Sequence, residues 1–447
     1  MIAMQKWAWI PRIVHFVINY KIIFNIFDTN MNIRSIFGFL PPRLHYSQSE
    51  LPIVDVSVPK LAVLLVKKTP EETSIPHLTP GETIKTGQKI YSETGKLLLY
   101  SSVTGTVNEI YNLSCINEDF TAISINTSDD AWDESCLKIE DYSNREPAAL
   151  VSILREAGLT IDIKEGEKTD AIILNCLESD LLVSIVRNAL VDYRENIKRG
   201  LRLLKKISGC DTVIIAVPSE LRDYAEGIAV ERSETIAAVD LVKPVYPSGM
   251  KEIISRSLSR KGIRRPVAVT PEYCNSIVTF LEKGSPAIYK LITLIDGNNV
   301  RTNMRVRIGT PVSHILREGN VKIGEHDKLI LGGTMRGVSA FHAEFPVTAD
   351  TDAVMVQDKD AVVTLGNGVC VNCGKCVSVC PNRLQAHLLS RYSEFSLFDK
   401  CKDFDIDDCI ECGMCAYVCM SRRALVHYIA FAKKELKKKE REENAVQ

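Results

Sequence analysis

Residues 370–380 read CVNCGKCVSVC and residues 409–419 read CIECGMCAYVC. Each run spaces its cysteines C-x2-C-x2-C-x3-C, a pattern that wraps a [4Fe–4S] cluster and lends its fourth cysteine to a neighbouring one. Three closely spaced thiolates cap three irons on one face of a cubane. The short loop cannot reach round to the fourth iron, so a remote cysteine must supply that corner. The spacing therefore assigns Cys370, Cys373, Cys376 and Cys419 to one cluster, and Cys409, Cys412, Cys415 and Cys380 to a second. Zinc is the rival metal, but zinc sites pair two C-x2-C units without the third cysteine and the x3 step. Pro381 follows the first run and Met420 the second. A proline there shapes a turn and donates no ligand, so its replacement leaves the ligand set intact. Crossed ligation requires the two runs to fold together, which makes them one relay for single electrons.

The other cysteines fit this reading. Nine of the fourteen lie between Cys370 and Cys419, and the rest (Cys115, Cys136, Cys176, Cys210 and Cys274) stand singly. A disulfide framework would spread its cysteines through a small secreted domain, whereas C-x2-C spacing in a large chain points to metal ligation in a reducing compartment. The five scattered residues and Cys401 read as buried, inert thiols. A chain of 447 residues is too long for a single core and implies several domains. A net charge of -1 offers no footprint for nucleic acid.

The elements that must position the cysteines change character along the chain. From Pro52 to about Asp141, short strands alternate with turn signals: KLAVLLV at 60–66, then glycines and prolines through 79–96, then VTGTVNEIY at 103–111 with a tight turn expected at Thr104–Gly105. From about Ser143 the period becomes helical (Leu150, Ile153, Leu154, Ala157, ending at Gly158). AIILNC and TVIIAV then read as buried strands, with one helix expected over 182–207 between them. RPVAVTP at 265–271 continues this register, and a helix follows near 276–281. Alternating strand and helix implies a parallel sheet. From about Lys283 to Asp360 short strands return, with one short helix at 311–317. The ends are less informative. The apolar stretch 13–27 carries His15, Asn19, Lys21 and Asn25, too polar and too short to span a bilayer. It reads either as an interfacial amphipathic anchor or, as favoured here, as an extension upstream of a start at Met31. KKELKKKEREEN at 433–444 reads as a solvated helix or tail.

The order of these blocks resembles RnfC, the peripheral iron–sulfur subunit of the Rnf membrane complex. RVRIGTPVSHIL (305–316), LGGTMRGVSAF (331–341) and FPVT (345–348) look like the family's approach to its cysteine block, and VYPSGMKEII (245–254) is similar to a further family stretch. The likeness covers roughly residues 35–430. It implies a multidomain α/β plus all-β chain: an N-terminal extension (1–34), a barrel-sandwich hybrid (35–142), and a degenerate α/β domain (143–282) resembling the NADH/FMN-binding flavoprotein of complex I. An SLBB-like β-grasp (283–360), a dicluster ferredoxin domain (361–430) and a charged tail (431–447) would follow. Implied with it are electron flow from ferredoxin coupled to ion pumping, partnership with the Rnf membrane subunits, and a peripheral place on the cytoplasmic face.

One departure matters. Family members that use NADH carry a glycine-rich loop of GxGGAGFPT type, where backbone amides approach a flavin or phosphate closely. Here that stretch is REAGLTIDIKEGEKTDAIILNCLESD, with Gly158 and Gly166 isolated. Asn175 and Glu178 match part of the following motif, but Leu181 and Leu182 replace its Pro-Tyr end, so both read as structural strand-end residues. The expectation is a relay without its own FMN or NAD site, exchanging electrons with ferredoxin and with a cytochrome or another terminal carrier. Two enzyme readings compete: a flavin-dependent NADH:ferredoxin oxidoreductase subunit, and a cobalamin reductase resembling PduS. Either would keep a flavin.

Overall fold

The computed structural model describes residues 41–446 apart from 48, 69–74, 115–118, 135–137, 140, 164–168, 232–233 and 367. The readings made for residues 1–34, Cys115, Cys136 and Gly166 lie outside the described residues.

Four antiparallel strands, Leu61–Lys67, Asp119–Thr127, Gly105–Ser114 and Thr83–Ile84, form the first sheet in that order. The hairpin Lys89–Tyr91/Leu97–Tyr100 forms a separate two-stranded sheet. Alternate residues of the strand Leu61–Lys67 point inward, so Ala62, Leu64 and Val66 meet Ile84, Ile90, Ile123 and Ile125 in one core. The tight turn expected at Thr104–Gly105 is absent, because Gly105 opens a ten-residue strand instead. A Cβ there would lie 2.2 Å from the Asn126 carbonyl oxygen, so the glycine serves close strand approach and not reversal.

The helical and buried-strand pattern after Ser143 builds a four-stranded parallel sheet ordered Ala238–Leu241, Thr212–Val217, Ala171–Asn175, Pro266–Val269. Its two central strands, Thr212–Val217 and Ala171–Asn175, are buried on both faces, as parallel strands are. Ile172 and Leu174 enter a core with Leu201, Leu204, Ile277 and Leu281 from the helices Arg194–Ser208 and Pro271–Lys283. Ala171 and Ile173 point the other way, into a core shared with Tyr246, Met250 and Cys412. The single helix expected over 182–207 is two, Val186–Asp192 and Arg194–Ser208, broken at Tyr193. Cys176, Cys210 and Cys274 are buried, as expected of inert thiols.

A six-stranded mixed sheet follows, ordered Ile53–Asp55, Arg301–Arg307, Tyr289–Ile295, Ala353–Gln357, Lys328–Leu331, Val338–Ala340, with the helix Val312–Glu318 on it. The N-terminal segment does not stay with the first sheet. Ile53–Asp55 pairs in parallel with Asn303–Arg305, and Leu44 and Tyr46 are buried beneath the parallel sheet. An unpaired edge at Arg301–Arg307 would leave a row of backbone groups open, and the segment closes it.

The C-terminal block is a repeat at an offset of 39 residues, Cys370 to Cys409 and Cys380 to Cys419. The short helices Lys375–Ser378 and Met414–Tyr417 obey that offset, as do the starts of the longer helices Ala386–Glu394 and Leu425–Val446. So do three left-handed positions: Asn372 with Glu411, Gly374 with Gly413, and Arg383 with Arg422. The charged stretch 433–444 is the outer part of that last helix. Its buried side, Ile429, Ala432 and Leu436, packs with Leu389, Cys401 and Ile406. Among the described residues no helix is long and apolar enough to cross a membrane.

Candidate iron–sulfur site

The fold brings the eight cysteines together in two groups of four, each drawn from both runs. Burial pushes up the thiol of Cys376, and the neighbours that push it further are Cys370, Cys419 and Cys373. Burial likewise raises Cys412, to about 11, with Cys380 and Cys409 adding to the shift. Cys415 is raised further, by burial first and then by Cys412, Cys409 and Cys380. Burial also lifts Cys409, with Cys380 among the groups that add to it. Cys419 thus stands with the first run, and Cys380 with the second.

The donor set suits iron–sulfur ligation. Buried, mutually repelling thiols hold their protons until a cationic centre replaces them, so binding iron there releases protons. Backbone N–H groups already point at the sulfurs. Leu384 N donates to Cys380 Sγ at 3.4 Å, and Arg423 N donates to Cys419 Sγ at 3.5 Å, two bonds related by the same 39-residue offset. The amides of Val377, Glu411, Met414 and Ala416 serve Cys376, Cys409, Cys412 and Cys415 in the same way. Such bonds stabilise thiolate and help set cluster potentials. Among the described residues no three Cys, His, Asp or Glu side chains converge on a single-ion site. The four thiols of a cubane each hold a different iron, so they need not meet at one point. Cys401 stands apart, fully buried, its thiol 3.7 Å from the Leu389 carbonyl oxygen.

The second group is fastened to the rest of the molecule. Tyr246 Oη donates to the Cys412 carbonyl at 2.8 Å, and its ring meets Tyr46 edge-on with centroids 5.9 Å apart. Arg256 reaches the Pro381 carbonyl at 3.3 Å and also binds the Asn382 side chain. Lys433 Nζ donates to the Cys409 carbonyl at 2.8 Å and pairs with Glu411 at 3.2 Å. Buried Asp180 ties in the glycine-rich loop 331–337. It accepts from Thr334 Oγ1 at 2.9 Å, from Met335 N at 3.1 Å and from Arg336 N at 3.0 Å. Met335 in turn lies against Gly413.

Asn175 and Glu178 hold backbone. Asn175 donates to the Gly249 carbonyl at 2.8 Å and accepts from Leu177 N at 3.1 Å. The Glu178 carboxyl accepts from Ile185 N and Val186 N at 3.2 and 2.9 Å, and so takes the N-terminus of the helix Val186–Asp192. Ligands of open α/β sheets bind outside the carboxyl ends of the strands. Here residues 44–47 lie across that end: Tyr46 N donates to the Pro244 carbonyl, Ser47 N to Leu181, and Tyr246 N to Leu44. Gly249 N donates to Tyr46 Oη at 2.8 Å. A void of about 20 Å³ remains beside Tyr46, Cys176 and Glu178, room for one water. A far larger cleft, about 790 Å³, opens between the first sheet, the mixed sheet, the loop 331–342 and the α/β layer at Ala157–Leu159 and Ser179–Asp180, and is lined largely by apolar side chains.

Sequence reasoning found the ligand candidates and missed what fastens them. Tyr246 sits in a stretch already singled out, but nothing in VYPSGM marks its hydroxyl for a cysteine carbonyl. Asp180 gave no signal, being one acid in an acid-bearing loop.

The model of the 4Fe-4S dicluster domain matches residues 369–423. The C subunit of the Na(+)-translocating ferredoxin:NAD(+) oxidoreductase complex of Acetobacterium woodii is 26% identical over 432 residues, 89% of this chain and 96% of that protein. The C subunit of the ion-translocating oxidoreductase complex of Methanosarcina acetivorans is 22% identical, covering 84% and 92%. Its namesake in Vibrio cholerae is 24% identical over 83% of this chain, which spans only about half (52%) of that longer protein. Among solved structures, an NAD+-reducing [NiFe]-hydrogenase aligns over 66% of this chain and 64% of its own, at 14% identity and a TM-score of 0.42. That likeness is too distant to name a fold. Along most of its length the chain is similar to the C subunits of such complexes, the RnfC proteins, and it matches a dicluster domain at 369–423.

Proposed function

We propose that this chain is a peripheral one-electron relay of an Rnf-type ion-translocating complex, without a flavin or nicotinamide site of its own. The observation that carries the proposal is the sorting of eight cysteines into two groups of four across the repeat, each supplied with N–H donors to sulfur. When bound, [4Fe–4S] clusters take up and release single electrons. The chain's own part is to hold them. Cys370, Cys373, Cys376 and Cys419 ligate the first, Cys409, Cys412, Cys415 and Cys380 the second, and the cores around them bury Cys376 and Cys412 and shield all but Cys373 in part. The finer domain identities belong to this proposal: a barrel-sandwich hybrid, a degenerate flavoprotein-like α/β domain and an SLBB-like β-grasp. So do the exchange of electrons with ferredoxin and with a cytochrome or other carrier, and a place on the cytoplasmic face of the membrane.

What supports the lack of a flavin site is occupancy. Residues 44–47 and the Glu178 carboxyl fill the strand-end crevice and the helix N-terminus that a nucleotide would use. The test is anaerobic purification with iron, sulfide and flavin analysis. About eight irons and eight sulfides per chain, without flavin, are expected from two cubanes. Cys380→Ser should damage the cluster held with Cys409, Cys412 and Cys415 and spare that of its own run. Stoichiometric FMN with NADH turnover, or four irons, would overturn the proposal.

A further inference from the structure

The repeat makes the two halves of the dicluster block comparable position by position, and their surroundings differ. In the second half Ile410, Cys412 and Met414 are covered: they pack with Leu177, Leu181, Tyr246 and Met335 on the body of the molecule. Pro381 lies beneath Arg256 of the helix Lys251–Ser259. The equivalent face of the first half comprises Val371, Cys373, Lys375 and Met420, and among the described residues nothing covers its centre. Val371 is 64% exposed and Met420 65%, while Cys373 is exposed where Cys412 is 8% exposed. Val369, 84% exposed, extends the patch, and Val363 and Leu365 lie further along the same segment. This segment is held, not loose: Ser421 Oγ donates to the Val369 carbonyl at 3.0 Å and Arg423 Nη1 to Gly368 at 2.8 Å.

The character of the face separates two kinds of partner. The face carries a single charge, on half-buried Lys375, and no charged residue occurs from Ala361 through Gly374. Transient encounters of diffusing redox proteins are steered by charge and weaken with salt. Standing interfaces are apolar at their centres and depleted of charge. The covered half shows what such a face packs against in this molecule, namely an apolar protein surface. We infer that the bare face around Cys373, formed by Val369, Val371 and Met420, is a standing interface with another subunit of the same complex, one presenting a one-electron centre behind an apolar surface. This rests on the relay reading above and adds a direction to it: the second half is sealed into the chain, and the first half is the port to a neighbour.

The test uses the assembled complex, purified through a tag on another subunit. Val371→Glu/Met420→Glu should leave the iron content of the isolated chain unchanged. It should cut the amount of this chain that copurifies by at least about tenfold, because two carboxylates would be buried without partners. Hydroxyl-radical footprinting of the unaltered protein gives a second readout, independent of how the variant folds. Val371 and Met420 should be oxidised in the isolated chain and protected in the complex. Undiminished copurification, or equal oxidation of Met420 in both states, would overturn the inference. So would protection of Met420 by an acidic [4Fe–4S] ferredoxin alone that vanishes in high salt, which would mark a transient dock. An isolated chain with too little iron would instead sink the relay reading and leave the footprint to decide the interface separately.

Discussion

Glu178 is buried beneath the parallel sheet's carboxyl end with two amides pointing at it, and burial outweighs those amides, pushing its pKa from 4.5 up to about 8. The folded state therefore keeps a proton that the unfolded chain gives up, and this carboxyl costs stability as pH rises from about 4.5 to about 8. Below that window both states are protonated, and above it both are ionised. Over the whole window the loss is on the order of a few kcal/mol. Glu178→Gln cannot ionise and keeps an acceptor for one amide. Hydrogen-exchange protection of Ile185 and Val186, corrected for intrinsic rates, should fall between pH 5 and pH 8 in the native protein and stay level in the variant. Equal slopes would mean that Glu178 titrates normally. The motif match alone left Glu178 open between cofactor binding and a structural role. The cysteines were legible because their chemistry depends on spacing, which a sequence prints directly. Glu178, Asp180 and Tyr246 act through burial and through partners 7 to 166 residues away, which it does not.

At the scale of elements, the terminal helix Leu425–Val446 shows which half of an amphipathic pattern carries weight. The lysines and glutamates of 433–444 dominate the sequence, and several pair across to the neighbouring helix Phe398–Lys402: Lys439 with Asp399 and Glu440 with Lys402. These groups stay in water, where ion pairs add little. The sparse apolar side decides. Ile429 is 1% exposed against Leu389 and Cys401, and Ile429→Ala should cost about 2–5 kcal/mol through lost burial and a residual cavity. Lys439→Ala should cost almost nothing. Iron release to a chelator, followed by absorbance, separates the two: fast in Ile429→Ala, native-like in Lys439→Ala. If both release iron alike, the helix is held by its charges. The same weighting explains the reading of 433–444 as solvated. It was accurate for the visible face, while the register continuing from Ile429 was masked by the charge density.

Across the whole molecule, the paired glycines Gly374 and Gly413 separate the folding of the dicluster block from its docking. Both adopt a left-handed backbone, φ 71° and 76°, so alanine strains each by roughly 1 kcal/mol. Beyond that they differ. A Cβ at Gly374 meets nothing within 4 Å, whereas one at Gly413 would lie 2.7 Å from the Met335 carbonyl oxygen. Met335 belongs to the loop that Asp180 holds against the parallel sheet, so Gly413 is where three blocks touch: cysteine repeat, mixed sheet and α/β layer. Gly374→Ala should therefore leave the loop 331–337 as protected from hydrogen exchange as in the native protein. Gly413→Ala should expose that loop and the amides around Tyr246, although the repeat gives the two substitutions the same local chemistry. Matching exchange in the two variants would mean that the cysteine block moves as an independent unit. The sealed second half, and with it the assignment of the first half as the port, would then fail together.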